Sequence, residues 1–209
     1  MTVSQIQELH LVLHGLAIKK HASAAAVAGI VGLDPARAAA LLADAARRGR
    51  AIEAQGKFLL APAARMSLEA EYSRVYADLR ANPAFLAAYE TFERVNSALK
   101  SLITDWQTME VGGEVGGERI ANDHSDAAYD ERIIDRLGEL HERSDGFFAG
   151  LAAGLPRLQI YQAKLLQALE KAEDGAVEWV SDARIESYHT VWFELHEDLL
   201  RILGRQRVE

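Results

Sequence analysis

A chain of 209 residues, 49% hydrophobic and 26% charged, has the composition of a globular protein with material for one large domain or two small ones. Its formal charge of −8 excludes a generally basic nucleic-acid-binding protein, and the absence of cysteine excludes disulfides, thiolate catalysis and cysteine-ligated zinc. Apolar runs are broken well before twenty residues and the first residues lack the basic-then-apolar pattern of a secretion signal, so a cytoplasmic protein with no membrane partner is expected. The charge is uneven: residues 1–65 carry +4 and the remainder −12, a basic head on an acidic body.

Residues 3–20 place Ile6, Leu9, Leu13, Leu16 and Ala17 at helical spacing. Ser23 then caps a short alanine-rich helix ending near Gly32. Asp34-Pro35, an N-cap followed by a first-turn proline, opens a third helix that stops at Gly49. Residues 51–54 and 57–61 flank Gln55-Gly56 as a hairpin. Three helices and a hairpin in this order resemble a winged helix-turn-helix domain over residues 1–65, and Leu60-Ala61-Pro62-Ala63-Ala64-Arg65 is similar to the exit of that family. DNA contact would place the third helix in the major groove, with Lys57 on the wing near phosphate. Its reading face is thin, since only Arg37 among the alanines near its start can reach a base; Arg47, Arg48 and Arg50 lie at the far end, where they also complement the helix dipole. Protein contact by the same fold stands open beside DNA contact. His10 and His14, four apart on the first helix, lack an adjacent carboxylate, and no metal is expected there.

Residues 66–209 read as an acidic, all-helical bundle of five helices. The first spans about 66–80 and the second, after Asn82-Pro83, runs to about 109 with Phe85, Tyr89, Phe92, Leu99, Leu102, Ile103 and Trp106 on one stripe. A glycine-rich loop over 111–117 follows. The polar run at residues 122–130 precedes a helix through Ile133, Ile134, Leu137, Leu140 and Phe147. One cap needs one such polar residue; five around a histidine, with Tyr129 beside them, mark a candidate site in which Asp123 or Asp126 orients His124. A helix from Pro156 carries Tyr161, Leu165 and Leu169. The last, from about 182 to 204, puts His189 and His196 on the face of Ile185, Trp192, Leu199 and Leu203, because positions seven apart differ by only about 20°. Those histidines are too far apart to share a metal ion. Either they have hydrogen-bonded partners inside the fold or they line a pocket, and convergence of Trp106, His124, His189, Trp192 and His196 on one pocket is the expectation. The chain has no phosphate-cradling loop, dinucleotide fingerprint or nucleophile elbow.

Taken together, Ala17-Ile18-Lys19-Lys20-His21, Thr104-Asp105-Trp106-Gln107, Asn122-Asp123-His124-Ser125-Asp126 with Tyr129-Asp130, and the run from His189 to Asp198 resemble an actinobacterial winged-helix plus helical-domain family. That family accompanies truncated phosphoenolpyruvate-synthase and pyruvate-phosphate-dikinase-like phosphotransferases, and is similar to components that phosphorylate phenols in aromatic catabolism. The resemblance implies a subunit of a two-component enzyme, with this chain presenting a small hydroxylated, phenolic acceptor to an ATP-grasp/phosphohistidine partner. ATP and magnesium would then sit on that partner, with no cofactor on this chain. Trp106, Tyr188, Trp192 and Phe193 would wall the substrate, with Asp123, Asp126 and Tyr129 beside it. His124 or His189 would take the hydroxyl proton with His196 in support, and Arg132 or Arg184 would face the phosphoryl group. The alternative is a transcriptional regulator whose winged helix binds DNA through Arg37, Arg47, Arg48 and Lys57, and whose helical body binds an effector or dimerises.

Overall fold

The computed structural model describes residues 3–111 and 118–206, so most of the glycine-rich loop expected at 111–117 lies outside the described residues. The protein is mainly helical and divides into two compact units. A terminal unit comprises Met1–Asn82 with Glu194–Glu209, and a central unit comprises Pro83–Phe193, where the sequence suggested one boundary after Arg65.

In the terminal unit, α1 (Val3–Lys19) buries Leu9, Val12, Leu13, Leu16 and Ala17. The two-residue strand β1 (His21–Ala22) leads to α2 (Ala24–Val31), capped by the Ser23 hydroxyl, which accepts from Ala26 N at 3.2 Å. Asp34 caps α3 (Pro35–Arg47) in the same way, accepting from Arg37 N at 3.0 Å. The chain bends by 116° between α2 and α3. Strands β2 (Ala51–Ala54) and β3 (Lys57–Leu60) form the expected hairpin; Gln55 and Gly56 both have positive φ, as its two-residue turn requires. β1 extends it to an antiparallel sheet of order β1-β3-β2, with Ala22 opposite Phe58. Two residues are too few for a periodic signal, so β1 leaves no mark in the sequence.

The helix expected from residue 66 begins earlier, as α4 (Pro62–Val75). Ala61 caps it by extended backbone alone, leaving no side-chain signal except the first-turn proline. α4 buries Leu68 and Tyr72, and α5 (Ala77–Ala81) completes this stretch.

The central unit is organised on α6 (Pro83–Gln107), whose buried stripe includes Phe85, Ala88, Tyr89, Phe92, Leu99 and Trp106. The expected all-helical body is corrected here: β4 (Thr108–Val111) pairs antiparallel with β5 (Glu118–Ala121), and α6 stops at Gln107 rather than near 109. The helix expected through Phe147 is two, α7 (Ala127–Glu142) and α8 (Asp145–Gly154). The break comes at Ser144, whose amide and hydroxyl both bond to His141 O, at 2.8 and 2.6 Å.

A 3-10 turn at Pro156–Leu158 leads into α9 (Gln159–Glu173), and α10 (Glu178–Ser181) is a single turn. The last helix, α11 (Tyr188–Leu203), begins six residues later than expected because Asp182 and Arg184 close a local turn, while Ser187 Oγ receives Thr190 N at 3.3 Å. More helices therefore form than the five expected. The first turns of α11 belong to the central unit and its last turns to the terminal unit. No single described helix is long and apolar enough to cross a membrane.

Candidate active site

The polar run before α7 is organised by its own short side chains. Asp126 caps the helix by accepting from Tyr129 N at 3.0 Å, and Asp123 accepts from Ser125 N at the same distance; the Ser125 hydroxyl and then its amide hold the Asp123 carboxyl below the usual range. Asn122 Oδ1 accepts from His124 N at 3.0 Å, closing a turn in which His124 takes φ 60°. A non-glycine residue in that region carries a conformational cost of order 1 kcal/mol, which surrounding contacts must offset.

Those contacts are specific. The His124 ring lies against Trp106, with centroids 4.5 Å apart, and its Nδ1 is 2.9 Å from Asp130 Oδ2 and 3.1 Å from Oδ1. The expected orienting carboxylates were Asp123 and Asp126; both are spent on local backbone, and Asp130 holds the ring instead. Asp130 has a side chain only 6% exposed and also accepts from Asn122 Nδ2 at 2.9 Å. The same amide donates to Trp106 O at 3.0 Å, which binds the turn to the end of α6. A carboxylate only accepts, so Nδ1 carries a proton, and in the neutral ring Nε2 is the nitrogen with the lone pair. The His124 side chain is 35% exposed and borders a cleft of about 430 Å³ between α7 and the end of α9, within the usual size range for small-molecule sites. Ile134 and Val177 give it an apolar side; Glu131, Asp135 and Glu173 make it acidic. Among the described residues no three His, Asp or Glu side chains converge as metal ligands.

The other suggested residues are distributed differently. Trp192 is buried, stacked on Phe92 at 5.2 Å and Tyr188 at 6.1 Å and edge-on to Phe147, and its indole N–H donates to Asn96 Oδ1 at 3.0 Å. Tyr188 is fully buried with its hydroxyl 3.3 Å from His141 Nδ1, and burial pushes its ionisation far up. Neither ring is among the residues that line the cleft; of the side chains expected to share one pocket, Trp106 and His124 are in contact within the central unit. Phe193 is 37% exposed, His189 is half-buried in the central unit, and His196 is buried in the terminal unit. Arg184 is paired with Asp182, whose carboxyl this hydrogen bond lowers to about 2. Arg132 lies over the Tyr129 ring, 5.6 Å from its centroid, and the Tyr129 hydroxyl donates to the carbonyls of Asp105 and Thr108.

In the terminal unit the arginines suggested for DNA contact have carboxylate partners. Arg37 binds Glu8 through Nε at 2.9 Å and Nη2 at 2.6 Å, while Arg47 and Arg48 both bind Asp44. Lys57 is exposed on the hairpin. His10 and His14 are buried: His14 sits between Tyr72 and Asp198, and His10 Nδ1 is 3.3 Å from Glu71.

Sequence reasoning missed Asp130 as the orienting group, although a signal was present. Asp130 precedes Ile133, Ile134 and Leu137 by three, four and seven residues and so occupies the buried stripe of α7. A carboxylate on a buried stripe asks for a donor. Compared with protein-family models, curated proteins and solved structures, the chain matches none.

Proposed function

We propose that this chain is the acceptor-binding component of a dikinase-like, ATP-dependent phosphotransferase, and that it holds a small hydroxylated, phenolic compound in the cleft beside His124. The observation that carries the reading is the pairing of His124 with Asp130: a buried carboxylate accepts from Nδ1–H, which leaves Nε2 of the neutral ring as the proton acceptor of a residue that lines a small cleft. The acceptor hydroxyl gives its proton to Nε2 as its oxygen bonds to phosphorus, and the bond from phosphorus to the partner's histidine breaks. The partner, an ATP-grasp/phosphohistidine protein, supplies ATP and magnesium. The carboxylates of Glu131, Asp135 and Glu173 favour a neutral phenol over an anionic one.

The terminal unit, under this proposal, is a winged helix-turn-helix reused for protein contact. The 116° bend between α2 and α3 and the β2–β3 wing support the fold assignment. The carboxylate partners of Arg37, Arg47 and Arg48 tell against its use on DNA.

The test has two stages. Binding of a panel of phenols to the purified chain is followed by fluorescence, since Trp106 lies against His124. Phosphorylated product is then sought with the partner, ATP and magnesium. Saturable phenol binding and product formation, both reduced in His124→Ala while the fold persists, are the expected results. No phenol binding and no product, together with salt-sensitive binding to a DNA operator, would overturn the proposal in favour of a regulator.

A further inference from the structure

Beside β5 and α7 the charge pattern of this acidic protein reverses. Arg119 from β5 and Arg132 and Arg136 from α7 border a groove of about 360 Å³ with Asp105 and Tyr129. Asp105 uses one carboxylate oxygen on each of two arginines, Oδ1 to Arg119 Nη2 at 2.6 Å and Oδ2 to Arg136 Nη2 at 3.0 Å. A guanidinium has five N–H donors, so each arginine keeps most of its donors for another acceptor. Arg132 has no carboxylate partner among the described residues; its guanidinium lies over the Tyr129 ring. That ring is fixed in turn, because its hydroxyl donates to Asp105 O at 2.8 Å and Thr108 O at 3.1 Å. The groove therefore holds three guanidiniums against one carboxylate on a fixed aromatic floor.

We infer that this groove is a binding site for a phosphate dianion carried by a small molecule, held by Arg119, Arg132 and Arg136. The local excess of two positive charges matches a phosphate group, which carries close to two negative charges near neutral pH. Forked guanidinium donors suit its oxygens better than a single ammonium would. Tyr129 gives an apolar surface on which the carrier of the phosphate can lie. The site rests on its own residues and does not depend on the role proposed for His124.

Calorimetric titration of the full chain with inorganic phosphate, phenyl phosphate and acetate, at constant ionic strength, tests it. Saturable binding of both phosphates is expected, tighter for phenyl phosphate, with acetate weaker by about tenfold or more. Arg132→Gln and Arg136→Gln should each weaken phosphate binding by about tenfold or more. Arg94→Gln, a change of equal charge at an exposed arginine of the same unit, should leave it unchanged. Absence of saturable phosphate binding, equal affinity for acetate, or an undiminished affinity in the Arg132→Gln/Arg136→Gln double variant would overturn the assignment. Retained phosphate binding in His124→Ala separates this site from the cleft beside that histidine.

Discussion

His14 Nε2 and Asp198 Oδ1 meet at 2.8 Å with neither side chain exposed, although 184 positions separate them along the chain. The Tyr72 hydroxyl lies 2.9 Å from the other ring nitrogen, and burial pushes its ionisation far up. These facts set one arrangement: Tyr72 O–H donates to Nδ1, and Nε2–H donates to the carboxylate. His10 stacks parallel to His14 with centroids 6.3 Å apart, and Tyr72 meets both rings edge-on. The interior of the terminal unit is therefore specified by polar contacts as well as by Leu and Val packing.

Removing one member of that buried chain withdraws a hydrogen-bond partner from its neighbours. His14→Ala should cost about 3 kcal/mol or more, by opening a buried cavity and taking the ring N–H from the Asp198 carboxylate, whereas Tyr72→Phe, which removes only the hydroxyl, should cost about 1–3 kcal/mol. Urea denaturation of both variants measures this. Losses under about 0.5 kcal/mol in each would contradict the buried chain.

Asp130→Asn tests whether the carboxylate positions the His124 ring. The substitution preserves shape but removes the negative charge and replaces one of the two oxygens facing Nδ1–H with an NH2 donor, so the ring is held less firmly in tautomer and orientation. Turnover in the reconstituted system should fall by about a hundredfold or more, as expected for disabled general-base catalysis. Phenol binding should change much less. A parallel loss of binding and turnover would assign Asp130 to the structure of the turn alone.

Gly150 allows α6 and α8 to approach closely: a Cβ added there would lie 2.7 Å from Ala88 Cβ. Gly150→Ala should destabilise the central unit by about 1–3 kcal/mol. Combining it with Ala88→Gly relieves the clash, so the double variant should be more stable than the sum of the two single losses. An additive double-mutant cycle in thermal or urea unfolding would refute the close contact.

Asn96 Oδ1 accepts the buried Trp192 N–H, and both residues lie in the aromatic core with Phe92 and Phe147. Asn96→Leu should cost about 1–3 kcal/mol by leaving the indole N–H without a partner. In a Trp192→Phe background the same change should cost much less, because no donor remains.

Burial holds the His141 imidazole below its usual range, which favours the neutral ring in the folded protein. The unfolded ring titrates near 6.5. Its contribution to stability is therefore full above that value and is lost as pH falls through 6.5 toward the lower folded value, with a slope of at most about 1.4 kcal/mol per pH unit. His141→Gln should flatten the fall in urea midpoint between about pH 7 and 5 relative to the unmodified chain. An unchanged profile would place the proton uptake elsewhere.

The sequence by itself determined features that short-range physics controls. Ser23, Asp34-Pro35 and Gln55-Gly56 mark helix starts and a turn because capping and turn geometry involve neighbours only a few residues apart, and the 3.6-residue stripe of α6 announced its buried face. The concentration of polar side chains around His124 was visible for the same reason. Only the tertiary structure decided which carboxylate binds which histidine. Asp123 and Asp126 stand beside His124 in sequence, but backbone amides claim them first; Asp130 reaches the ring because a helical turn brings it to the same side. Asp198 reaches His14, and Asn96 reaches Trp192, across separations that no local periodicity encodes. Local signals assign residues to elements, whereas a partner for a buried polar group is chosen by the packing of those elements, because burial makes an unpaired group too costly to leave.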